Sequence, residues 1–391
     1  MLTAEKQNHI KRSNVKDRYD AAIVGGGLAG LSLAIMLAKA GYKIILFEKE
    51  TYPFHRVCGE YISMESYGFL QRLGLDLPAY HLPVISKLIV SAPNGNFIPS
   101  KLDIGGFGIS RYLLDNALKE IAIQNGVAVL DGTKVNEIEF SDDQFFLQYN
   151  GGQTIAWVVI GAYGKKSNLD VKLSRNFIST KPSKLNNFVG VKYHVKIGFP
   201  VDTIALHNFQ GGYCGLSKVE GDAHCLCYMT TAQNLKDNNN SISEMERSVL
   251  FKNTFLRDIF SQAEFLFKEP VTISQISFDE KSQVEDHILM TGDAAGLIAP
   301  LCGNGMSMAL HSSKIASLLI DQFLRKKISR KRLEKSYRNE WENNFNNRLR
   351  DGRRLQKLFG KQKLTNTVVT SLKLFPAITQ ILIKATHGKE F

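Results

Sequence analysis

Polar and apolar positions first fall into a clean pattern near the N-terminal end. Ala21 to Val24 is a short apolar run, Leu28 to Ala40 is apolar and rich in small residues, and Lys43 to Glu48 carries a second apolar run. The period changes from strand to helix to strand, which predicts a β-α-β unit. Strand-like runs follow: SKLIVSAPNGNFIPS, VNEIEFSDDQFFLQYNGGQTIAWVVIGA, FVGVKYHVKI, DTIALHNF and AHCLCYMT. SRYLLDNALKEIAIQNGVAVLDG reads as a helix followed by a strand, and residues 241–268 read as helical. VEDHILMTGDAAG is another apolar strand entering a glycine turn, and NGMSMALHSSKIASLLIDQFL is a long helix with one small, apolar face.

This order predicts an α/β fold, with a three-layer Rossmann-type nucleotide domain and an inserted, mainly antiparallel β-sheet for the substrate. A helical extension follows at the C-terminal end. The expected boundaries are residues 1–18 for a frayed polar tail, and 19–80, 105–170 and 284–325 for the nucleotide domain. Residues 81–104 and 171–283 form the substrate domain, and 326–391 a basic and apolar helical region. A chain of 391 residues is long enough to build these units around a sizeable core.

The turn after the first strand holds Gly25, Gly27 and Gly30. The first permits a tight turn, the second lets backbone approach a pyrophosphate, and the third lets helix and strand pack closely. The helix N-terminus, with Leu28 and Ala29, offers free N–H groups to phosphate. Glu48 closes the second strand about 20 residues on, where a carboxylate holds ribose hydroxyls, and Lys49 follows it. The turn alone does not separate NAD from FAD.

MTGDAAGLIAPLCGNGMSMA, residues 290–309, separates them. Asp293, after Gly292 at a strand end, suits a flexible polyol. Gly303 and Gly305 open a helix whose positive end favours the charge that reduction places on a flavin. Here the chain resembles the flavoprotein hydroxylase and geranylgeranyl reductase superfamily, over most of residues 19–325. The resemblance implies an FAD-binding Rossmann-type domain. It gives Asp293 the ribityl chain, sets Pro300, Gly303, Gly305 and Met306 beside the isoalloxazine, and has Arg111 of GISRYLLDNAL contact the ribityl or phosphate region.

YPFHRVCGEYIS, residues 52–63, packs unusual chemistry into one loop. Geranylgeranyl reductases carry a similar Tyr/Phe-Pro-Arg-x-x-x-Cys-Gly loop along the flavin. The likeness implies Arg56 near ribityl or substrate oxygens, and Cys58 and Gly59 close to the ring. Two departures stand out. Tyr163 occupies the place where the hydroxylases have an Asp that serves FAD and incoming NAD(P)H, and a packing role is expected of it. Gly212-Tyr213-Cys214-Gly215 lacks the tryptophan of the reductases, which opens space beside Tyr213. Catalytic candidates are Arg56, Cys58 and Tyr213.

Charge changes the picture only near the end. Residues 325–363 hold 15 Lys and Arg against 4 Asp and Glu, so +11 of the chain's +12 lies there. The stretch has the composition of an exposed basic helix pair. It points to an anionic membrane surface or an acidic carrier protein. Nucleic acid is not expected, because no binding module or interleaved stacking aromatic occurs. Val368 to Ile383 suits a membrane-apposed helix or a lid on a lipid tunnel. Five cysteines without zinc spacing predict neither disulfides nor a metal site. The start lacks an apolar core for a signal peptide, and the expected place is the cytoplasm, at most peripheral to the inner face of the membrane.

The expected function is an FAD-dependent oxidoreductase acting on a hydrophobic or aromatic small molecule, with NAD(P)H as reductant. The weight of the superfamily favours a monooxygenase-type reaction. C=C reduction or dehydrogenation of a lipid-like substrate is the alternative. A flavin-bearing, non-catalytic partner in a biosynthetic complex is the third reading. Only Trp157 and Trp341 are present, so the Trp-x-Trp motif of halogenases is missing.

Overall fold

The computed structural model describes residues 17–179, 187–298, 303–358, 361–375, 377–380 and 388–391. Two sheets organise them. The first centres on parallel strands in the spatial order Ile288–Met290, Gly152–Gly161, Arg18–Val24, Ile44–Phe47 and Ala128–Leu130. Ala21 to Ile23 and Ile44 to Phe47 are fully buried, as strands covered on both faces must be. The helix Leu28–Lys39 packs between the helices Arg111–Gln124 and Gly305–Leu324. Its small residues permit that approach, and Ser32 Oγ meets Ser313 Oγ at 2.7 Å. The antiparallel strands Val135–Ser141 and Gln144–Tyr149 join Gly152–Gly161 as a meander.

The register fixes where a ligand can sit. Val24 lies beside Phe47 and Gly161, Phe47 beside Leu130, and Gly161 beside Met290. The parallel strands therefore end level. The loops that leave them, 25–30, 48–60, 131–134, 162–167 and 291–298, open on one edge. That edge is the crevice where α/β sheets of this kind bind their ligands.

The second sheet is mainly antiparallel. From Glu264–Phe265 it runs through Phe188–Lys196, His224–Thr231, Gly212–Lys218, Thr203–Phe209, Val84–Ser91 and Phe97–Gly108 to Tyr61–Ser63. Its two faces differ, as the alternation of side chains requires. Val189, Val191, Cys214, Leu216 and Leu226 pack against Met245, Leu250, Leu256 and Ile259 of the helical segment. The alternate positions Gly190, Tyr213, Gly215, Cys227 and Met229 face a cavity. The sheet also reaches into the first domain's sequence, because Tyr61–Ser63 pairs with the end of Phe97–Gly108.

The basic segment is not a pair of exposed helices. Arg330–Leu358 is one helix of 29 residues. Leu333, Tyr337, Trp341, Phe345 and Leu349 recur every fourth position and are buried in the main core. Tyr337 donates to Met290 O at 2.6 Å, and Trp341 lies against Gly296, where an added Cβ would stand 2.7 Å from its ring. The apolar stripe is diluted among charges, which is why composition hides it.

Candidate functional site

The glycine turn makes the first wall of the site. Gly25 has φ +115°, and a Cβ there would meet Ala162 O at 2.4 Å. A Cβ on Gly30 would stand 1.9 Å from Gly25 O, so the helix reaches the strand only because Gly30 has none. Gly27 differs. The only atom within 4 Å of a Cβ there is the Arg111 guanidinium, at 3.5 Å. This leaves open space between a helix N-terminus and an arginine, the setting a pyrophosphate needs.

Glu48 is buried at the end of its strand. Its Oε2 accepts from Gly26 N at 2.9 Å and Arg56 Nη2 at 2.8 Å, and its Oε1 from Glu50 N at 3.1 Å. Each carboxylate oxygen has two lone pairs, so capacity for ribose hydroxyls remains. Tyr52 donates to Gly26 O, tying the 52–63 loop to the turn. Arg56 continues the chain of charges, donating to Asp115 Oδ2 at 2.9 Å while stacked over Phe54. Its guanidinium is thus committed to two carboxylates on the ribose side. Arg111 holds the same Asp115 at 2.7 Å through both Nε and Nη2. Burial opposes the Arg111 charge, and Asp115 outweighs it, holding its pKa above the usual value.

From this turn a cavity of about 970 Å³ runs between the two sheets. Leu28, Ala29, Lys49, Cys58, Gly59, Gly292, Asp293, Gly303, Gly305 and Met306 line it along with Gly25, Gly27, Glu48, Arg56 and Arg111. Gly30 stays behind the turn as packing, and Pro300 lies outside the described residues. Cys58 Sγ lies 3.5 Å from Met306 Sδ, so the Cys-Gly loop faces the start of the Gly305–Leu324 helix. Lys281, which no motif marked, donates to Asp293 O at 2.9 Å and to Lys165 O at 3.0 Å. Burial lowers its pKa to about 8. Tyr213 lies on the cavity face of the second sheet, buried beside Met229 and Phe188. The same lining has an aliphatic part, with Leu88, Leu102, Ile204, Leu206, Ile273 and Ile276.

The motifs missed a junction. Glu60 is fully buried, accepts from Arg111 N at 2.7 Å, binds His194 Nε2 at 2.6 Å and pairs with the fully buried Lys192. Burial alone would raise the Glu60 pKa, but His194 and Lys192 outweigh it and bring it to about 2. Glu60 therefore joins the Cys-Gly loop, the Arg111 helix and the second sheet. The signal was present: Lys192 and His194 alternate within an otherwise apolar strand, and only a partner makes that tolerable. Glu60, His194 and Cys225 also have a donor set that could hold a metal ion. Their atoms already have partners, however, since Lys192 and His194 take Glu60 and Cys225 Sγ donates to Cys58 O at 3.2 Å. Tyr163 belongs to a second buried group. It donates to Asp170 Oδ1 at 3.0 Å and accepts from Arg175 Nη1 at 3.3 Å.

These residues fit FAD. The space before Gly27 would hold a pyrophosphate, Glu48 would hold ribose hydroxyls, and the cavity past Asp293 and Cys58 is wide enough for a ring system. Bound there, FAD supplies the electron-transfer chemistry. Known proteins resemble the chain in sequence and in fold. Conditioned medium factor receptor 1 of Dictyostelium discoideum is 25% identical, over 83% of this chain and 67% of its own. Digeranylgeranylglycerophospholipid reductase 2 of Methanopyrus kandleri is 24% identical, over 88% of this chain and 87% of its own. A flavin-dependent brominase shares the fold with a TM-score of 0.77 at 18% identity, over 95% of this chain and 93% of its own. The family model for the FAD binding domain matches residues 18–343, and the chain belongs to that family of flavin-dependent oxidoreductases.

Proposed function

We propose that the protein adds or removes hydrogen at C–C bonds of a long hydrophobic substrate, using FAD. One observation carries the reading: a single cavity runs from the dinucleotide turn, past Cys58 and Gly59, to a wall of leucine and isoleucine. Such a wall selects by shape and by burial, worth about 25 cal/mol per Å² of apolar area. The Methanopyrus relative is named for reducing a digeranylgeranyl lipid, which fits the same wall. Addition across a C=C bond needs a hydride at one carbon and a proton at the other. Cys58 Sγ, half-buried at the cavity, is the proposed proton carrier. NAD(P)H is the proposed source of electrons.

Oxygen insertion is the second reading, drawn from the hydroxylase resemblance. Tyr163 bears on both readings alike: its hydroxyl is bound by Asp170 and Arg175 where the hydroxylases have an Asp for NAD(P)H, so either reaction would take its electrons by another docking mode. The test loads the protein with FAD, reduces it anaerobically with dithionite and offers a geranylgeranyl phospholipid. Mass spectrometry showing a gain of two hydrogens supports the first reading. A gain of oxygen only after air is admitted transfers support to the second. No change in the lipid, with FAD bound and reduced, defeats the lipid reading.

A further inference from the structure

The helix Gln362–Leu374 and the residues that follow it present apolar side chains both inward and outward. One side is used: Val369 and Leu372 pack on Val90, Ala92 and Ile98 of the Val84–Ser91/Phe97–Gly108 hairpin. Polar ties fix the seat, with Asn94 N donating to Asn366 Oδ1 at 3.3 Å, Asn96 Nδ2 to Thr370 Oγ1 at 3.0 Å and Gln380 Nε2 to Lys101 O at 3.2 Å. The other side faces out. Leu374 is 72% exposed, Phe375 56%, Ile378 47% and Leu364 36%. Lys361, Lys363 and Lys373 are exposed on the same stretch.

Two further facts narrow what these side chains meet. No Asp or Glu occurs between Asp351 and Glu390, against eight Lys and Arg. No helix among the described residues is long and apolar enough to cross a membrane. Exposed apolar side chains on a stretch whose own charges are all cations are the pattern of a segment that lies in an anionic interface. The seat also adjoins the cavity. Leu88 and Leu102 line the cavity, while Val90 and Ile98, on the same face of the hairpin, hold the helix. At about 3.3 Å per residue, the helix begins about 7 to 13 Å along the hairpin from the aliphatic wall.

We infer that residues 361–375 and 377–380 seat the protein on an anionic phospholipid surface, with the aliphatic part of the cavity beside the contact. The seating stands apart from the chemistry. That it delivers substrate rests on the hydrophobic-substrate reading.

Flotation of the full-length, FAD-loaded protein with vesicles tests the seating without turnover. Wild type floats with phosphatidylserine-containing vesicles at low salt, less at high salt, and hardly with phosphatidylcholine alone. The double variant Leu374→Asp/Phe375→Asp partitions about tenfold or more weakly, and reversing Lys361, Lys363 and Lys373 to Glu weakens it similarly. Flavin absorbance per mole of protein stays at the wild-type level in both variants, since all five side chains are exposed. Equal flotation of wild type and the double variant overturns the inference. So does wild type that ignores anionic vesicles, or that forms a dimer which the double variant abolishes. Flotation without lipid turnover leaves the seating standing and defeats only delivery.

Discussion

The two ends of the cavity are built on opposite principles. At the dinucleotide end, charges hold one another in a chain from Glu48 through Arg56 and Asp115 to Arg111, and from its backbone to Glu60 and Lys192. Each group is fixed by partners at hydrogen-bond distance, so the site is organised before any ligand arrives. At the far end the wall is aliphatic and specifies volume rather than direction. The difference teaches that one end is built for a fixed ligand and the other for a variable one. Buried charges without partners are costly, so the charged end tolerates little change, whereas apolar walls accept swaps of similar volume.

Adding side chains at glycines on either end gives the sharpest contrast. Gly30→Val drives atoms into Gly25 O, and the expected result is protein that retains no flavin, read from visible absorbance per mole. Gly215→Leu meets nothing closer than 3.6 Å at its Cβ, so it should keep flavin while blocking substrate. Loss of flavin in the second variant would break the comparison.

Removing the Glu60 carboxylate comes next in size. Glu60→Ala leaves Lys192 buried without its counter-charge and should cost about 3 to 5 kcal/mol in denaturant unfolding. A cost below about 1 kcal/mol would mean that water or another carboxylate replaces it. Arg56→Ala should cost less, about 1 to 3 kcal/mol of FAD affinity, because it removes charge-assisted bonds beside the ribose site. Titration with FAD reads this, and an unchanged affinity would detach Arg56 from the cofactor.

The pH dependence is the most gradual effect and its sign is set. Burial lowers the pKa of His207 and of His224 to about 4, so the folded state binds fewer protons than the unfolded chain between about pH 6.5 and 4. Their contribution is intact above about 6.5 and is lost as pH falls toward 4, by at most about 1.4 kcal/mol per pH unit for each. Glu60, depressed to about 2, gives way later, between about 4.5 and 2. Thermal melting across pH should show loss beginning above pH 5. A melting temperature flat from pH 7 to 4 would contradict the burial of these rings.

The sequence by itself determined the dinucleotide end. A turn, the helix after it and the carboxylate that closes the next strand all lie within about 30 residues. Local spacing alone carries that much, because backbone geometry couples neighbours. The Asp293 turn and Arg111 were legible through resemblance. The tertiary structure alone decided the rest. Glu60, Lys192 and His194 meet only because a strand of the second sheet passes the end of the Cys-Gly loop, and no local period records a partner more than 130 residues away. The two C-terminal helices teach the same lesson. Residues 325–363 read as an exposed basic surface and Val368 to Ile383 as an apolar one, yet Trp341 is buried and Leu374 is exposed. What separates them is which apolar stripe found a core to enter, and only the folded chain holds that fact.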